Sequence, residues 1–317
     1  MHKKCLIVGG GGFIGLNLFE YLSSKNFYIK IIDKYTNNIK NLHKHISHVD
    51  IINLDVKDTN KLLDHLGDIE NIIWLIHTSV PSSSMDNIET DLISNLLPLI
   101  KFLTRIKTNS NIERFVYLSS GGTIYGNSLE NKPFVETSPT NPISSYGLTK
   151  LVAEKYIDLI LHESTIQRYI LRPSNVYGLY QNLNKPQGII GHAFKAAINN
   201  HPIVLYNNGI VTRDFLFVSD LVDAIHKCLI HNDNKNFSFT FNVGSQKGYT
   251  INEIIKAICG ITSKEIITIS KPDRGFDCNF NVLDSSKIFS DLNWSAHVGI
   301  NDGLVKVWEW IKNVPNV

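Results

Sequence analysis

The 317-residue sequence has little of what marks membrane-bound or disulfide-rich proteins. It contains only four cysteines and two methionines, and 19% of its residues are charged. No apolar run approaches the roughly 20 residues that a membrane-spanning helix requires. The apolar stretch that follows Lys4 reaches a glycine run after four residues, which is too short for the core of a signal peptide. We therefore expect a cytoplasmic protein with neither a membrane span nor a signal peptide.

The four cysteines, Cys5, Cys228, Cys259 and Cys278, lie far apart in the chain and form no CxxC pair. A disulfide framework or a zinc site depends on paired or closely spaced cysteines. We predict reduced structural thiols and no metal site.

Neither sign of charge dominates the composition. The 31 Lys and Arg residues against 29 Asp and Glu residues give a formal net charge of +2. Such a balance offers no strong electrostatic reason to bind nucleic acid or an anionic membrane. The hydrophobic share of 43% and the length predict a folded chain of about two domains.

The first part of the chain alternates short β-rich runs with helical patterns. Strands are predicted at Lys4–Val8, Tyr28–Asp33, Val49–Leu54, Ile72–Ile76 and Arg114–Ser119, and helices at Ile14–Ser24 and Asn87–Lys107. Buried strands that alternate with amphipathic helices predict a doubly wound parallel α/β sheet. Pro98 predicts a kink or a break in the second of these helices.

A longer helix is predicted at Ser144–His162, and one more strand follows at Gln167–Leu171. Beyond Arg172 the elements become shorter and more mixed, which predicts a smaller, partly interleaved substrate domain towards the C-terminus. We assign residues 1–173 and about 211–243 to the first domain, and residues 174–210 and 244–317 to the second.

The run Gly9–Gly15 lies between the first strand and the first helix and satisfies both the GxxGxxG and the GxGxxG motif. Glycines allow a tight turn in which backbone N–H groups approach a pyrophosphate at the start of a helix. We predict a dinucleotide site of the Rossmann type here. Its cofactor-binding residues in this segment are Gly9, Gly12, Phe13, Ile14 and Gly15.

Asp33 ends the second strand, eighteen residues after Gly15. A carboxylate at this place accepts hydrogen bonds from the adenosine ribose and repels a 2′-phosphate, which favours NAD over NADP. The adjacent Lys34 has the opposite charge and leaves NADP open. Asp55 and Val56, after the third strand, are candidates for contact with the adenine, although a plain loop explains them as well.

Tyr146 and Lys150 are four residues apart in a predicted helix, so both side chains lie on one face. An ammonium beside a phenol depresses the pKa of the phenol, and an oxidised nicotinamide would add to this effect. The pair predicts a tyrosine base that works near neutral pH, whereas an exposed helix pair is the plain structural explanation.

Together these segments resemble the extended short-chain dehydrogenase/reductases, and specifically the NAD-dependent epimerase/dehydratase family, whose members act on nucleotide sugars. The resemblance covers nearly the whole chain and rests on the order and spacing of short motifs. They are Gly9–Gly15, Asp33, Asp55, Asn95, Ser119–Gly126, Tyr146 with Lys150, Arg172–Gly178, Arg213–Phe215, Arg274 with Asp277, and Leu292–Trp294. The resemblance implies bound NAD, with Asn95 and Pro173 among its contacts. It also implies a homodimer that pairs two helices of each chain in a four-helix bundle.

In this family the reaction begins with oxidation at C4 of the sugar. A tyrosine takes the O4 proton, a lysine orients the cofactor ribose and lowers the pKa of the tyrosine, and a Ser or Thr binds O4. By resemblance, Tyr146 is the base and Lys150 is its partner. The position that usually carries the hydroxyl is Gly121 here, so Ser120 is the first choice for that role and Thr123 the second.

The resemblance also implies a site for a nucleoside-diphosphate sugar, with UDP as the first choice. Arg213 and Arg274 match the two arginines that bind the pyrophosphate, a role that suits the guanidinium fork. The other implied contacts are Asp277 with the nucleotide ribose, Asn175 with a phosphate, and Val204 and Tyr206 with the base.

Two more residues carry hypotheses about the sugar end of the site. Asn281 lies seven residues after Arg274, in a neighbourhood that limits the group at C2 of the sugar in related 4-epimerases. Its middling size permits a hexose or an N-acetylhexosamine. His77 follows the fourth strand and faces the expected nicotinamide region, where a structural role is the simpler interpretation.

Several reactions are compatible with the family. The 4,6-dehydratases carry an Asp-Glu pair directly after the catalytic Thr, where this chain has Gly122 and Thr123, so the elimination lacks its acid and base. A 4-epimerase is the first hypothesis, because Asp33 favours tightly held NAD. A 4-ketoreductase that consumes NAD(P)H is the alternative. A catalytically silent sensor is disfavoured by the presence of Tyr146 and Lys150.

Overall fold

The computed structural model describes residues 2–42, 48–128, 130–183, 188–233, 235–272 and 278–313. Within these residues the elements follow one another as β1 (Lys4–Val8), α1 (Phe13–Ser23), β2 (Tyr28–Asp33), α2 (Asn37–Leu42), β3 (Val49–Asn53), α3 (Thr59–Asp64), β4 (Asn71–Trp74), α4 (Ile88–Ile106), β5 (Arg114–Leu118), α5 (Gly121–Ile124), α6 (Ser145–Leu161), β6 (Gln167–Pro173), β7 (Asn175–Tyr177), α7 (Ile189–Asn199), β8 (Ile203–Tyr206), β9 (Thr212–Phe217), α8 (Val218–Ile230), β10 (Ser238–Val243), β11 (Gly248–Thr250), α9 (Ile251–Thr262), β12 (Thr268–Lys271), β13 (Phe280–Asn281), α10 (Ser286–Leu292) and α11 (Ile300–Lys312).

The main sheet has seven strands in the order β10-β6-β5-β4-β1-β2-β3. Every neighbouring pair in it is parallel. The strand order reverses between β1 and β4, and ligands of such sheets bind at the carboxyl ends of the strands beside that point. The predicted doubly wound Rossmann class is therefore confirmed.

Helices cover both faces of this sheet because its central strands are buried on both sides. One face packs against α1 and α8, whose apolar side chains share a core with Ile7 and Ile31. The other face packs against α3, α4 and α6, and their core includes Trp74 and Phe115. The four cysteines carry thiols, as predicted, and Cys5 and Cys228 lie within the first of these cores.

A smaller region is built on separate strands. In it β9 pairs with β7, β11 and β13, while β8 pairs with β12. Helices α7, α9 and α11 supply most of its own core. Strand β9 lies in this region, whereas α8 and β10 lie with the main sheet.

The break predicted at Pro98 does not occur. Helix α4 is continuous from Ile88 to Ile106, with Pro98 buried in its interior. A proline removes one backbone hydrogen bond, but α4 buries Leu99, Phe102 and Leu103 completely. This burial outweighs the lost bond, because tertiary packing supplies most of the stability of a protein helix.

No helix among the residues described is long and apolar enough to cross a membrane.

Candidate active site

The glycine loop between β1 and α1 has the shape of an anion cradle. Gly9 has a φ of +93°, which a residue with a side chain rarely adopts. A Cβ on Gly15 would lie 2.5 Å from Cα of Gly10, so the helix and the loop are in close contact. Beside Gly12, in contrast, a Cβ would meet only the Gly9 carbonyl oxygen, at 3.8 Å. A pyrophosphate fits this open side.

The start of α1 leaves its backbone N–H groups available to such an anion. Gly12 is the N-cap residue, so no side chain caps the helix, and the first turn contains no acidic residue. Unpaired N–H groups and the helix dipole favour a bound phosphate. Phe13 and Ile14 are half-buried and pack against the core beside α1.

Asp33 lies at the carboxyl end of β2, where the glycine loop fixes its orientation. Its Oδ2 accepts a hydrogen bond from the Gly11 N–H at 2.8 Å, and its Oδ1 accepts one from the Tyr35 N–H at 2.7 Å. The carboxylate is half-buried and lies at the carboxyl end of the strand, where ligands of such sheets bind.

Lys34 pairs with Asp55, the other carboxylate predicted at this end of the sheet. The Lys34 Nζ lies 3.3 Å from Asp55 Oδ2. Hydrogen bonding from the Lys57 backbone N–H, together with Lys34, lowers the pKa of Asp55 against the opposing effect of burial. Val56 is buried under α3 and α4. The loop thus presents an ionised carboxylate next to the buried side chain of Val56.

Tyr146 and Lys150 lie on the same face of α6, as predicted. Ser144 caps this helix by accepting a hydrogen bond from the Gly147 N–H at 3.2 Å. Lys150 is buried, and its Nζ donates to the Leu118 carbonyl oxygen at 2.6 Å. The same Nζ lies 5.8 Å from the centre of the Tyr146 ring.

Ser120 is the predicted hydroxyl that interacts with Tyr146. Its side chain acts to lower the pKa of the Tyr146 phenol, whereas Thr123 Oγ1 is buried without a hydrogen-bond partner among the described residues. Gly121 has no room for a side chain, because a Cβ there would lie 2.5 Å from Leu283 Cδ1 and 2.9 Å from the Arg172 carbonyl oxygen. The interaction with Tyr146 therefore favours Ser120 over Thr123.

The ionisation of the pair differs from the expectation that Lys150 would depress the pKa of the tyrosine. Burial raises the pKa of Tyr146 to about 12, although Ser120 acts in the opposite direction. Burial also lowers the pKa of Lys150 to about 7, against the attraction of Glu154 and Asp91. Within the chain's own residues, desolvation is the largest influence on both groups.

Asn95 and Pro173 lie behind the cofactor site. Asn95 is buried in α4, where its Oδ1 accepts hydrogen bonds from the Thr78 N–H at 2.7 Å and from Thr78 Oγ1 at 3.1 Å. It therefore fixes the loop that follows β4. Pro173 is buried at the carboxyl end of β6.

Asp91 is a residue that sequence reasoning missed. It is buried near the start of α4 and accepts hydrogen bonds from Ser145 and Thr149 of α6. His77 Nε2 lies 3.4 Å from its Oδ1, and the His77 ring packs edge-on against Tyr146 at a centroid distance of 4.4 Å. The sequence offers no signal for this cluster, because an Asp in the first turn of a helix is ordinary.

The cavity of the smaller region collects four of the predicted substrate residues. It has a volume of about 220 Å³, and its lining includes Asn175, Val204, Tyr206 and Arg213. Asn175 Nδ2 donates to the Asp214 carbonyl oxygen at 3.0 Å, and one Arg213 Nη donates to the Thr212 carbonyl oxygen at 2.9 Å. These bonds hold an amide and a guanidinium at the wall of one cavity.

Three other sequence-based predictions have different outcomes. Arg274 and Asp277 lie outside the described residues. Asn281 is fully buried and donates a hydrogen bond to the Gly121 carbonyl oxygen at 3.1 Å, so it supports the backbone next to Ser120. No group of three or more potential metal ligands occurs among the described His, Cys, Asp and Glu residues.

Comparison with known proteins gives one consistent family. The model of the NAD dependent epimerase/dehydratase family matches residues 5–244. A candidate UDP-glucose 4-epimerase of Methanocaldococcus jannaschii is 31% identical over 97% of this chain and 98% of its own length. The dTDP-4-dehydro-6-deoxyglucose reductase of Escherichia coli is 29% identical over 97% of both chains.

The fold agrees with this assignment. The crystal structure of UDP-glucose 4-epimerase with UDP-glucose from Thermotoga maritima superposes with a TM-score of 0.89 at 24% identity, covering 98% of each chain. The glycine cradle, the carboxylate of Asp33 and the pair on α6 all fit NAD, which is the cofactor of the family. The chain belongs to the NAD-dependent epimerase/dehydratase family and is an NAD-dependent enzyme.

Proposed function

We propose that this enzyme is a nucleotide-sugar 4-epimerase that retains its NAD and acts on a UDP-linked hexose or N-acetylhexosamine, such as UDP-glucose or UDP-N-acetylglucosamine. The observation that carries the proposal is the cluster of Tyr146, Ser120 and Lys150 at the carboxyl end of the main sheet. A Cβ on Gly122 would lie 3.9 Å from Ser120 Oγ and 3.8 Å from Asn175 Oδ1. Gly122 therefore lies between the Ser120 hydroxyl and Asn175, which lines the same cavity as Arg213.

In the proposed reaction the chain's side chains handle the proton at O4 of the sugar. Ser120 binds O4 of the sugar and interacts with Tyr146. Tyr146 removes the O4 proton as the 4-keto sugar forms. Lys150 holds a positive charge near the phenol, which stabilises the phenolate. Bound NAD would supply reversible hydride acceptance at C4 of the sugar. Tyr146 would return the proton to O4 once the sugar has turned within the site.

Two observations support an enzyme that retains NAD. Asp33 is held at the end of β2 by Gly11 and Tyr35, where its charge opposes a 2′-phosphate. Lys34, the nearest cation that would attract such a phosphate, pairs with Asp55 at 3.3 Å. The name of the archaeal relative supports the epimerase as well.

The alternative is a 4-ketoreductase that consumes NAD(P)H and reduces a nucleotide-linked 4-keto-6-deoxy sugar. The E. coli reductase, 29% identical over nearly the whole chain, supports this alternative. Tyr146, Lys150 and Ser120 would serve in the same way, with Tyr146 acting as the acid.

The test is proton NMR of the purified protein with UDP-glucose and with UDP-N-acetylglucosamine, without added cofactor. We expect the galacto epimer of at least one sugar to appear. Tyr146→Phe should slow this conversion by at least about 100-fold, because it removes the acid–base group. Tyr156→Phe changes a partly exposed tyrosine of the same helix and is the matched control.

If neither sugar is converted, a second assay distinguishes the 4-epimerase from the 4-ketoreductase. Reduction of dTDP-4-keto-6-deoxyglucose with NADH or NADPH, together with no epimer in the first assay, would show that the enzyme is the reductase. Activity that survives Tyr146→Phe would contradict the mechanism for both.

The proposal includes a homodimer and a cytoplasmic location. Helices α4 and α6 expose apolar side chains on their outer surface, namely Ile88, Leu92, Ile93, Leu97, Leu148, Tyr156 and Leu159. A pairing of these helices across a two-fold axis would bury them in a four-helix bundle. The reduced thiols and a nucleotide-sugar substrate support the cytoplasm.

A further inference from the structure

Asp91 is a buried carboxylate that joins three segments of the site. Its Oδ2 accepts hydrogen bonds from Ser145 Oγ at 2.7 Å and from Thr149 Oγ1 at 2.9 Å. Its Oδ1 accepts one from Asn95 Nδ2 at 2.9 Å, and Ser79 Oγ also donates to it. The carboxylate therefore connects α4, the start of α6 and the loop after β4.

Two of these hydrogen bonds come from residues directly next to the catalytic pair. Ser145 directly precedes Tyr146, and Thr149 directly precedes Lys150, so one oxygen atom of Asp91 holds the helix turn between the two catalytic side chains. The loop after β4 adds a second contact, because Ser84 Oγ accepts a hydrogen bond from the Tyr146 N–H at 3.0 Å. The orientation of α6 in the site thus depends on Asp91 and its loop.

Asp91 also carries a permanent charge. Burial alone would raise the pKa of a carboxyl group, but the contact with His77 and the hydrogen bonds from Ser79, Ser145 and Thr149 hold the pKa of Asp91 well below its usual value. His77 does not neutralise it, because burial, followed by the charge of Lys150, lowers the pKa of His77 to about 4.

Two carboxylates, Glu154 first and Asp91 second, attract the charge of Lys150. Glu154, on α6, forms an ion pair with Arg172 in which Nη2 and Oε2 are 2.7 Å apart. Tyr117, on β5, is a buried phenol whose pKa is raised well above its usual value by burial. Both Glu154 and Asp91 raise the pKa of Lys150 against the effect of burial, and Asp91 also raises that of Tyr146.

We propose that Asp91 is a positioning residue of this enzyme: it holds the turn of α6 that carries the catalytic pair, and its buried charge, together with that of Glu154, favours the cationic form of Lys150. No role of Asp91 in binding substrate is required. The inference rests on the proposed function for its effect on turnover, but its effect on Lys150 is independent of any substrate.

The first test titrates Lys150 in protein whose lysines carry ¹³C at the ε position. The resonance of Lys150 is identified by its loss in Lys150→Met. In Asp91→Asn, we expect the Lys150 midpoint to fall by about one pH unit, because an opposite charge in a shielded site is removed. Glu89→Gln makes the same chemical change at an exposed position in the first turn of α4 and should leave the midpoint unchanged.

A Lys150 midpoint that is the same in Asp91→Asn as in the parent protein would overturn the electrostatic part of the inference. This result would leave the proposed reaction untouched. Absence of turnover in the parent protein with every nucleotide sugar would contradict the proposed function, and the titration would still test Asp91.

A second variant tests positioning with the charge retained. Ser145→Ala combined with Thr149→Ala removes the two hydrogen bonds from α6 but keeps the carboxylate of Asp91. We expect kcat to fall by about tenfold at nearly constant KM, since the pair is misplaced relative to the sugar. An unchanged kcat would overturn the positioning role, and this variant alone decides that point if Asp91→Asn does not fold.

Discussion

At position 121 the structure has room for a hydrogen atom and for nothing larger. The side chain of Leu283 and the backbone of Arg172 close the space around Gly121. The hydroxyl that the family pattern implies at this position therefore has no place, and Ser120 is the predicted hydroxyl that acts on Tyr146. The sequence allowed both Ser120 and Thr123. It could not show that position 121 is closed, because Leu283 is distant in the sequence.

A serine at position 121 should destabilise the protein rather than restore the usual pattern. We expect Gly121→Ser to lower the free energy of unfolding by about 1–3 kcal/mol, because the new atoms overpack a closed space. Gly122→Ser is the matched control, since a Cβ there meets nothing closer than 3.8 Å. Urea unfolding measures both. Equal losses in the two variants would contradict the steric explanation.

His77 makes the stability of the protein depend on pH in the mildly acidic range. Its side chain is 6% exposed, and burial lowers its pKa from 6.5 to about 4. Between these values the unfolded chain binds a proton that the folded chain does not, so stability is complete above pH 6.5 and is lost as the pH falls towards 4. The loss amounts to roughly 3 kcal/mol.

The variant His77→Gln should remove this part of the pH dependence. Urea unfolding between neutral pH and pH 4 measures it, with His201→Gln at an exposed position as the control. If His77→Gln and the parent protein lose stability in parallel over that range, the histidine is not the group responsible.

At the scale of secondary structure, the alternation of β-rich and helical patterns was sufficient to locate most elements of the main sheet. The strands Lys4–Val8 and Tyr28–Asp33 have the predicted bounds, and α6 differs from its prediction by one residue at each end. These segments have a clear hydrophobic period or a clear cap. The break predicted at Pro98 was wrong, because the packing of α4, rather than the local preference of proline, decides whether the helix continues.

The capping box of α9 offers a test at this scale. Thr250 Oγ1 accepts a hydrogen bond from the Glu253 N–H at 3.2 Å, and the Glu253 side chain accepts one from the Thr250 N–H at 2.7 Å. Thr250→Ala should cost about 1 kcal/mol of unfolding free energy. Thr250→Ser retains the hydroxyl and should cost clearly less. If the two variants lose the same stability, the cap is not what stabilises α9.

At the scale of the whole molecule, the sequence predicted the doubly wound sheet, but not the contacts that join the candidate site residues to the rest of the chain. The glycine motif and the pair on α6 are local patterns with a direct chemical meaning. The cluster around Asp91 and the support of Gly121 by Asn281 connect residues that are distant in sequence. No spacing within one segment encodes such contacts.

The proposed dimer can be tested by mass. At micromolar concentration, light scattering should give twice the mass of one chain. Leu97→Glu combined with Leu159→Glu places charges on the exposed apolar surface of α4 and α6 and should give the mass of a monomer. Ile269→Glu changes an exposed residue of β12 and is the control. A monomeric parent protein would contradict the dimer.

The wall behind Gly121 comes from a segment about 160 residues further along the chain. Asn281 donates to the Gly121 carbonyl oxygen, and Leu283 fills the space next to the Gly121 Cα. During synthesis the glycine loop and Asp33 therefore emerge well before this wall. We expect a nascent chain to form its cofactor cradle before Ser120 and Tyr146 have their support.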